Sequence, residues 1–162
     1  MALGGATPVS TARGRAIYRA AVTALLPLAA IAGALSTAAA EPPPLVTIKE
    51  VMELTITPST NTLWNVPERP TDEQWAALEQ AAITLLVAAD AIARGGAGES
   101  DAKWVGNPAW AAFNEAMIKA DLDALEAIRA RDLQALLAAG DLLYPPCEGC
   151  HLQFNPGVAA GN

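Results

Sequence analysis

The side chains best suited to chemistry in this chain lie close together near its C-terminus. The only two cysteines are Cys147 and Cys150, and the only histidine, His151, follows the second of them directly. Residues three apart on a helix lie on one side, so both thiols can reach a single planar group. The pattern C-x-x-C-H is the attachment sequence for c-type haem, in which both thiols bond to one porphyrin and the histidine ligates the iron. The segment therefore predicts one covalent haem c.

Three other kinds of site use cysteines at similar spacing. A thiol oxidoreductase uses C-x-x-C ahead of a helix in a βαβ unit, and no such unit can be identified in the sequence. A zinc site would need a fourth ligand beside the two thiols and the imidazole. A disulfide between near neighbours closes almost no loop, so it adds little stability, and it leaves the histidine without a role. In the haem interpretation Glu148 and Gly149, between the cysteines, are free to vary.

The composition limits the class of protein. The chain has 162 residues, which fits a single domain, and it carries 10 Lys and Arg against 17 Asp and Glu, a net charge of −7. An acidic surface argues against a protein that coats nucleic acid, because nucleic-acid binding depends on Lys and Arg contacts to phosphates. We expect no nucleic-acid partner.

Residues 1–40 have the order of a secretory signal. Arg13, Arg15 and Arg19 precede an apolar stretch over residues 20–35, and small residues follow up to Ala40. Cleavage after Ala40 would leave residues 41–162 as the mature domain, with a net charge of −10 because three arginines and no acids are removed. This predicts a bacterial periplasmic protein. The alternative is an uncleaved membrane anchor, since the apolar run approaches the length of a membrane span.

The mature chain is predicted to be all-α. Apolar residues recur at helical spacing in four segments, and we find no strand-like alternation. Four helices with fairly short connections pack most economically as an antiparallel four-helix bundle, whose core can hold a cofactor. The predicted helices cover residues 46–57 with a short continuation to 64, residues 72–94, residues 108–130 and residues 133–144. Their predicted N-terminal caps are a capping box of Thr71 and Gln74 for the second helix, Asn107 for the third and Asp132 for the fourth.

Proline and glycine set the expected boundaries of these helices. Pro58 is predicted to end or kink the first helix, and Pro145 with Pro146 to break the fourth, because proline lacks the backbone donor. A separate short helix over residues 147–154 would then carry the haem site. Residues 95–107 are polar and rich in glycine, so we expect a flexible, solvated loop there, interrupted by Trp104.

These features resemble the cytochrome c′ family of bacterial periplasm. The resemblance covers about residues 46–154 and consists of four helices, C-x-x-C-H near the C-terminus, and an aromatic residue, Phe154, three positions after the histidine. It implies that Met52 on the first helix lies over the distal face of the haem. The chain departs from the family in two places. Ile48, with Lys49 beside it, stands where many members have a basic residue, and Pro145-Pro146 interrupts the fourth helix.

The sixth iron ligand separates two functions. A single histidine excludes bis-histidine ligation within one molecule, and Met52 and Met117 are the methionines of the mature chain. The resemblance favours Met52 as the ligand, whereas Met117 lies in a regular apolar stripe and is expected to fill the core. Methionine ligation raises the reduction potential and suits electron transfer. Without it, five-coordinate iron would bind nitric oxide or carbon monoxide.

Electron transfer is the first prediction and gas binding the alternative. The acidic surface would favour docking to a basic redox partner protein. We do not expect an enzyme, because no second histidine and no acid–base pair accompany the site. Tyr144 and Phe154 flank the attachment segment and are expected to contact the haem. An apolar stripe on the first two helices could support a homodimer, and membrane association would require the anchor alternative.

Overall fold

The structure, a computed structural model, describes residues 42–159 and is all-α. No residue in that range belongs to a β-strand, so the predicted fold class is confirmed there. The predicted signal segment, residues 1–40, lies outside the described residues.

The first helical segment continues through Pro58. It consists of α1 (Ile48–Val51), a π-helical turn (Met52–Ile56) and α2 (Thr57–Trp64), so the prediction that Pro58 could end the helix is wrong. Pro58 lies at the start of α2, directly after the π-helical turn. In the wider turn before it, the Thr57 N–H donates to the Met52 carbonyl, five residues back. The helix therefore absorbs the proline by local widening.

The second segment matches its prediction. Helix α3 (Asp72–Arg94) starts with a capping box, in which Gln74 N donates to Thr71 Oγ1 at 3.3 Å and Thr71 N donates to Gln74 Oε1 at 2.8 Å. It ends at Gly95, whose φ of 112° is a conformation that L side chains rarely adopt. Within residues 42–159, α3 is also the one helix long and apolar enough to cross a membrane, a test that core helices pass as well.

The loop after α3 is more ordered than its composition predicts. It contains α4 (Asp101–Val105), and the Asp101 side chain is only 3% exposed. Asp101 Oδ2 accepts hydrogen bonds from Ile48 N and Gly98 N, both at 2.9 Å. The expectation of a solvated loop fails at Asp101, whose carboxylate is held inside where it binds the first N–H of α1. Elsewhere the segment is solvated as expected, with Ala97, Glu99, Ser100, Ala102, Lys103 and Gly106 exposed.

Removing the Asp101 carboxylate should destabilise the protein. We expect Asp101→Ala to lower the free energy of unfolding by about 2–4 kcal/mol, because the buried N–H of Ile48 and the partly buried N–H of Gly98 would lose their acceptor. Asp123→Ala is the matched control, since Asp123 is an exposed partner of Lys119 at 2.8 Å and should cost less than about 1 kcal/mol. Urea denaturation of the two variants measures the difference, and equal midpoints would contradict this account of the loop.

The last two long helices form one hairpin. Helix α5 (Pro108–Ala130) begins after Asn107, whose Oδ1 accepts from Ala109 N at 3.0 Å, as predicted. Helix α6 (Leu133–Phe154) begins after the predicted cap, Asp132, and is followed by α7 (Pro156–Ala159).

The predicted break at Pro145-Pro146 does not occur, because α6 runs through both prolines. Each proline leaves the carbonyl four residues back, on Asp141 and Leu142, without its helical donor. Both of these residues are exposed, so water can reach that side of the helix. The attachment segment is therefore the end of a 22-residue helix and not a separate short one.

The four helical segments share one core. Helix α2 contacts α3, α3 contacts α5, α5 contacts α6, and α6 contacts α2. The most deeply buried large apolar side chains are Ile48, Leu63, Leu85, Leu136 and Leu143, and α5 adds the buried Trp110, Met117 and Ile128.

Candidate functional site

The cysteines and the histidine lie on the last turns of α6, beside open space. Two cavities of about 370 and 490 Å³ adjoin this part of the helix, within the size range of ligand pockets. Cys150 and His151 line both cavities, and Cys147 lines the first. The residues predicted to hold the haem thus line these two adjoining cavities, which together are called the hollow below. The residues common to both cavities are Met52, Thr57, Trp110, Cys150 and His151.

Met52 lines this hollow from a different part of the chain. It belongs to the π-helical turn of the first segment and, like His151, lines both cavities. The structure therefore brings together all four of the predicted site residues. Met117 also lines the first cavity while only 5% exposed, so a residue expected to fill the core also faces the hollow.

An aromatic cluster holds the end of α6 against the body of the protein. The rings of Trp104 and Trp110 stack with centroids 5.9 Å apart, and Phe154 meets Trp110 edge-on at 5.2 Å. All three line the second cavity. Phe154 was expected to contact the haem and Trp104 could pack on an edge of the porphyrin, and the structure has both side chains lining the second cavity.

Burial favours the protonated form of both thiols. Burial raises the pKa of Cys147 to about 11, and burial together with the neighbouring Cys147 raises the pKa of Cys150 to about 11. A thiol oxidoreductase depends on a thiolate at neutral pH, so this environment argues against that alternative. Both cysteines are free rather than disulfide-bonded. Within residues 42–159 no three His, Cys, Asp or Glu side chains are grouped to hold a metal ion such as zinc.

Glu148 and Gly149, between the cysteines, differ in how freely they can vary. Glu148 is exposed and accepts a hydrogen bond from the Tyr144 hydroxyl at 3.2 Å, and its charge raises the pKa of Tyr144. Gly149, in contrast, packs against Phe113 of α5. A Cβ at this position would lie 2.5 Å from Phe113 Cε1. The expectation that both residues can vary is therefore wrong for Gly149, where the two helices approach too closely.

A methyl group at position 149 should disturb the site. We expect Gly149→Ala to lower the free energy of unfolding by about 1–3 kcal/mol through overpacking against Phe113. Gly140→Ala is the control on the same helix, because its Cβ would meet Trp64 Cδ1 at an ordinary 3.5 Å. That variant should be neutral or more stable by up to about 1 kcal/mol, since alanine favours helix. Thermal melting compares the two, and equal shifts would contradict the packing argument.

Asn114 is a site residue that the sequence analysis missed. It lines the first cavity and is 6% exposed. Its Nδ2 donates to the Ala89 carbonyl at 3.1 Å, whereas its Oδ1 is buried without a partner. A signal was present in the sequence, because a polar residue stands four positions after Trp110 and three before Met117, on the apolar side of α5.

The residues around the hollow fit a haem. Its walls supply two neutral thiols and one imidazole on one helix end and a thioether on another segment. Most of the remaining lining side chains are apolar or aromatic, which suits a planar apolar group.

Comparison of the chain with models of protein families, with curated proteins and with solved structures returns no match. The resemblance to the cytochrome c′ family thus stays a prediction from the motif and the helical pattern.

Proposed function

We propose that this chain is an exported cytochrome with a single covalent haem c, and that it transfers electrons. The observation that carries the proposal is the placement of Cys147, Cys150 and His151 along one hollow that Met52 lines from the first segment. A motif formed by chance would have no reason to adjoin a ligand-sized space.

The fold proposed for this function is an antiparallel four-helix bundle. The cyclic order of contacts, from α2 through α3, α5 and α6 back to α2, supports it. Connections of two residues between α5 and α6, and of seven between α2 and α3, also suit helices that run in opposite directions.

Each site residue has a distinct role in this proposal. Cys147 and Cys150 would hold the haem by thioether bonds, and the His151 imidazole would ligate the iron. When bound, haem supplies an iron centre that accepts and returns one electron. Met52 would offer its thioether as the second axial ligand. The apolar side chains in the wall would favour the less charged, reduced state.

The surface beside the first cavity supports exchange with a partner. Tyr144 is 55% exposed, Leu152 60% and Trp64 41%, and all three line that cavity. Exposed apolar side chains next to the site offer a short route for an electron to leave. The mature net charge of −10 would steer a basic redox protein towards the molecule.

A gas-binding function is the second candidate. Among the residues that the first segment contributes to the first cavity, Met52 is the one with a sulfur atom that could ligate iron. The apolar Ile56 of the same segment lines the cavity beside it. If the thioether stayed unligated, the iron would keep an open position near Ile56 of this segment. A small neutral gas fits such a position.

The visible spectrum of the ferric protein tests the electron-transfer proposal against this alternative. We expect a low-spin spectrum with a sulfur-to-iron band, which Met52→Ala abolishes and Met117→Leu retains. Met117→Leu is the matched control because Met117 is the other methionine that lines the first cavity. A high-spin wild-type protein that binds carbon monoxide rapidly and whose spectrum Met52→Ala leaves unchanged would contradict Met52 ligation and favour gas binding.

A further inference from the structure

The exposed residues that line the first cavity all come from α2 and α6. They are Thr57, Asn61 and Trp64 on α2, and Tyr144, Glu148 and Leu152 on α6. Half of these residues are apolar or aromatic, and Glu148 is the one that carries a charge. No lysine or arginine lines this cavity. Its exposed edge is therefore apolar with a single negative charge.

Further negative charge lies along α6 beside this edge. Asp141, two helical turns before Glu148, adds an exposed carboxylate on the same side of the helix. Within residues 42–159 neither carboxylate forms an ion pair, and neither α2 nor α6 contains a lysine or arginine. Pro145 and Pro146 also leave the carbonyls of the exposed Asp141 and Leu142 without a helical donor. This side of the protein thus presents negative charge and hydrogen-bond acceptors.

Hydrogen bonds hold the aromatic side chains of this edge in place. Trp64 Nε1 donates to the Gly140 carbonyl at 2.9 Å, and the rings of Trp64 and Tyr144 have centroids 6.4 Å apart. The Tyr144 hydroxyl donates to Glu148 at 3.2 Å, which keeps the carboxylate beside the ring. Side chains that are already ordered lose little entropy when a partner binds. Aromatic side chains are also enriched in protein interfaces.

The second cavity differs from the first in its charge. Lys49 and Glu53 are the charged residues that line it, and they lie 3.6 Å apart. Their charges sum to zero, so this cavity attracts a cation less than the edge of the first cavity does.

We propose that a basic electron-transfer protein docks on the α2–α6 face, made of Trp64, Asp141, Tyr144, Glu148 and Leu152. Such a partner presents an apolar patch with lysine or arginine around it, whose N–H groups pair with the two carboxylates. A second copy of this face, or an anionic membrane, carries the same sign of charge and is repelled. Glu148 therefore helps to select the partner, although the attachment motif leaves its position free. The inference rests on the proposed function, because the electron comes from the proposed haem.

Oxidation of the ferrous protein by tris(phenanthroline)cobalt(III), a cation with an apolar surface, models this partner. One electron passes from iron(II) to cobalt(III), which gives iron(III) and cobalt(II). We expect Glu148→Lys and Asp141→Lys each to slow this reaction about fivefold at low ionic strength. Glu53→Lys changes the net charge equally but at the second cavity, so it should slow the reaction less than about twofold.

Hexacyanoferrate(III), an anionic oxidant, separates docking from driving force. A change in the reduction potential of the haem would alter the rates with both oxidants in the same direction. A change in the charge of the docking face instead alters them in opposite directions. We therefore expect Glu148→Lys and Asp141→Lys to speed the reaction with hexacyanoferrate(III).

Proton NMR of the ferrous protein locates a bound cation without any electron transfer. Hexaamminechromium(III) is paramagnetic and broadens the signals of protons near it. The methyl signals of Leu152 should broaden at lower concentrations of this cation than those of Leu54. Leu54 is the matched control, because it is 76% exposed against 60% for Leu152 and follows the acidic Glu53 directly.

The outcomes separate this inference from the proposed function. Equal rates for Glu148→Lys and Glu53→Lys, changes of the same sign with both oxidants, or earlier broadening of Leu54 would overturn the docking face and leave the haem in place. Asp141→Lys lies outside the attachment motif, so it decides the question if Glu148→Lys does not acquire haem. A wild-type preparation without bound haem overturns the proposed function, and this inference with it.

Discussion

Replacing Cys147 and Cys150 together by alanine should yield a chain without covalent haem. No other cysteine exists in the sequence, so no other thioether bond can form. The mass of the intact purified protein should fall to that of the mature polypeptide, and its red colour should extract into acidified acetone or be absent. The variant should also melt at a lower temperature, because the hollow at the end of α6 would lose the group proposed to fill it.

Leu152→Ala is the control for this double substitution. Leu152 lies on the same helix, lines the first cavity and is 60% exposed, so its loss should leave the haem attached. Retention of an inextractable pigment by the double cysteine variant would show that the two thiols are not the attachment points.

Replacing Asp121 by asparagine should stabilise the protein at neutral pH. Asp121 lies on α5, is 0% exposed, and has no hydrogen-bond partner for either side-chain oxygen. Burial raises its pKa from 3.8 to about 7. The carboxyl group of Asp121 therefore binds its proton more tightly in the folded protein than in the unfolded chain.

The sign of the pH dependence follows from this difference in proton affinity. The contribution of Asp121 to stability is fully present below pH 3.8 and is lost as the pH rises through about 7. Each tenfold change in the proton affinity of Asp121 is worth about 1.4 kcal/mol of stability. A rise in its pKa from 3.8 to about 7 therefore lowers the free energy of unfolding at high pH by at most about 4 kcal/mol. Asp121→Asn removes this loss because its amide does not ionise.

Urea denaturation between pH 4 and pH 8 measures the effect. We expect the stabilities of the wild type and Asp121→Asn to diverge as the pH rises, with the variant more stable at pH 8. Asp123→Asn, at an exposed position two residues away, should follow the wild type. Parallel curves for the wild type and Asp121→Asn would show that Asp121 titrates alike in the folded and unfolded states.

Helix boundaries set by local chemistry were predictable from the sequence. The capping box of Thr71 and Gln74, and the caps Asn107 and Asp132, involve residues at most three positions apart. Their hydrogen bonds therefore follow from the sequence itself.

Two predicted helix ends, at Pro58 and at Pro145-Pro146, do not occur in the structure. Pro58 and Pro145-Pro146 obey the rule that proline removes a donor, but the helices continue. A wider π-helical turn accommodates Pro58, and exposed carbonyls accommodate the other two. Whether a helix continues past a proline depends on the packing and the solvent exposure around it, and these cannot be predicted from the neighbouring residues in the sequence.

The site was predictable where the motif specifies it. Cys147, Cys150 and His151 came from their spacing, and the structure places Met52 along the same hollow. The contact of Gly149 with Phe113, the burial of Asp101 and the unpaired oxygen of Asn114 each join residues that are far apart in the sequence. Such contacts depend on how the helices pack, so the sequence could at most mark Asn114 as a polar residue on an apolar face.

The pyridine haemochrome spectrum of protein made in a host that matures c-type cytochromes tests the central proposal most directly. The account predicts the spectrum of a haem with both vinyl groups saturated, at one haem per chain, in a pigment that stays with the polypeptide in acidified acetone. Colourless protein, or a pigment that passes into the acetone, would contradict it.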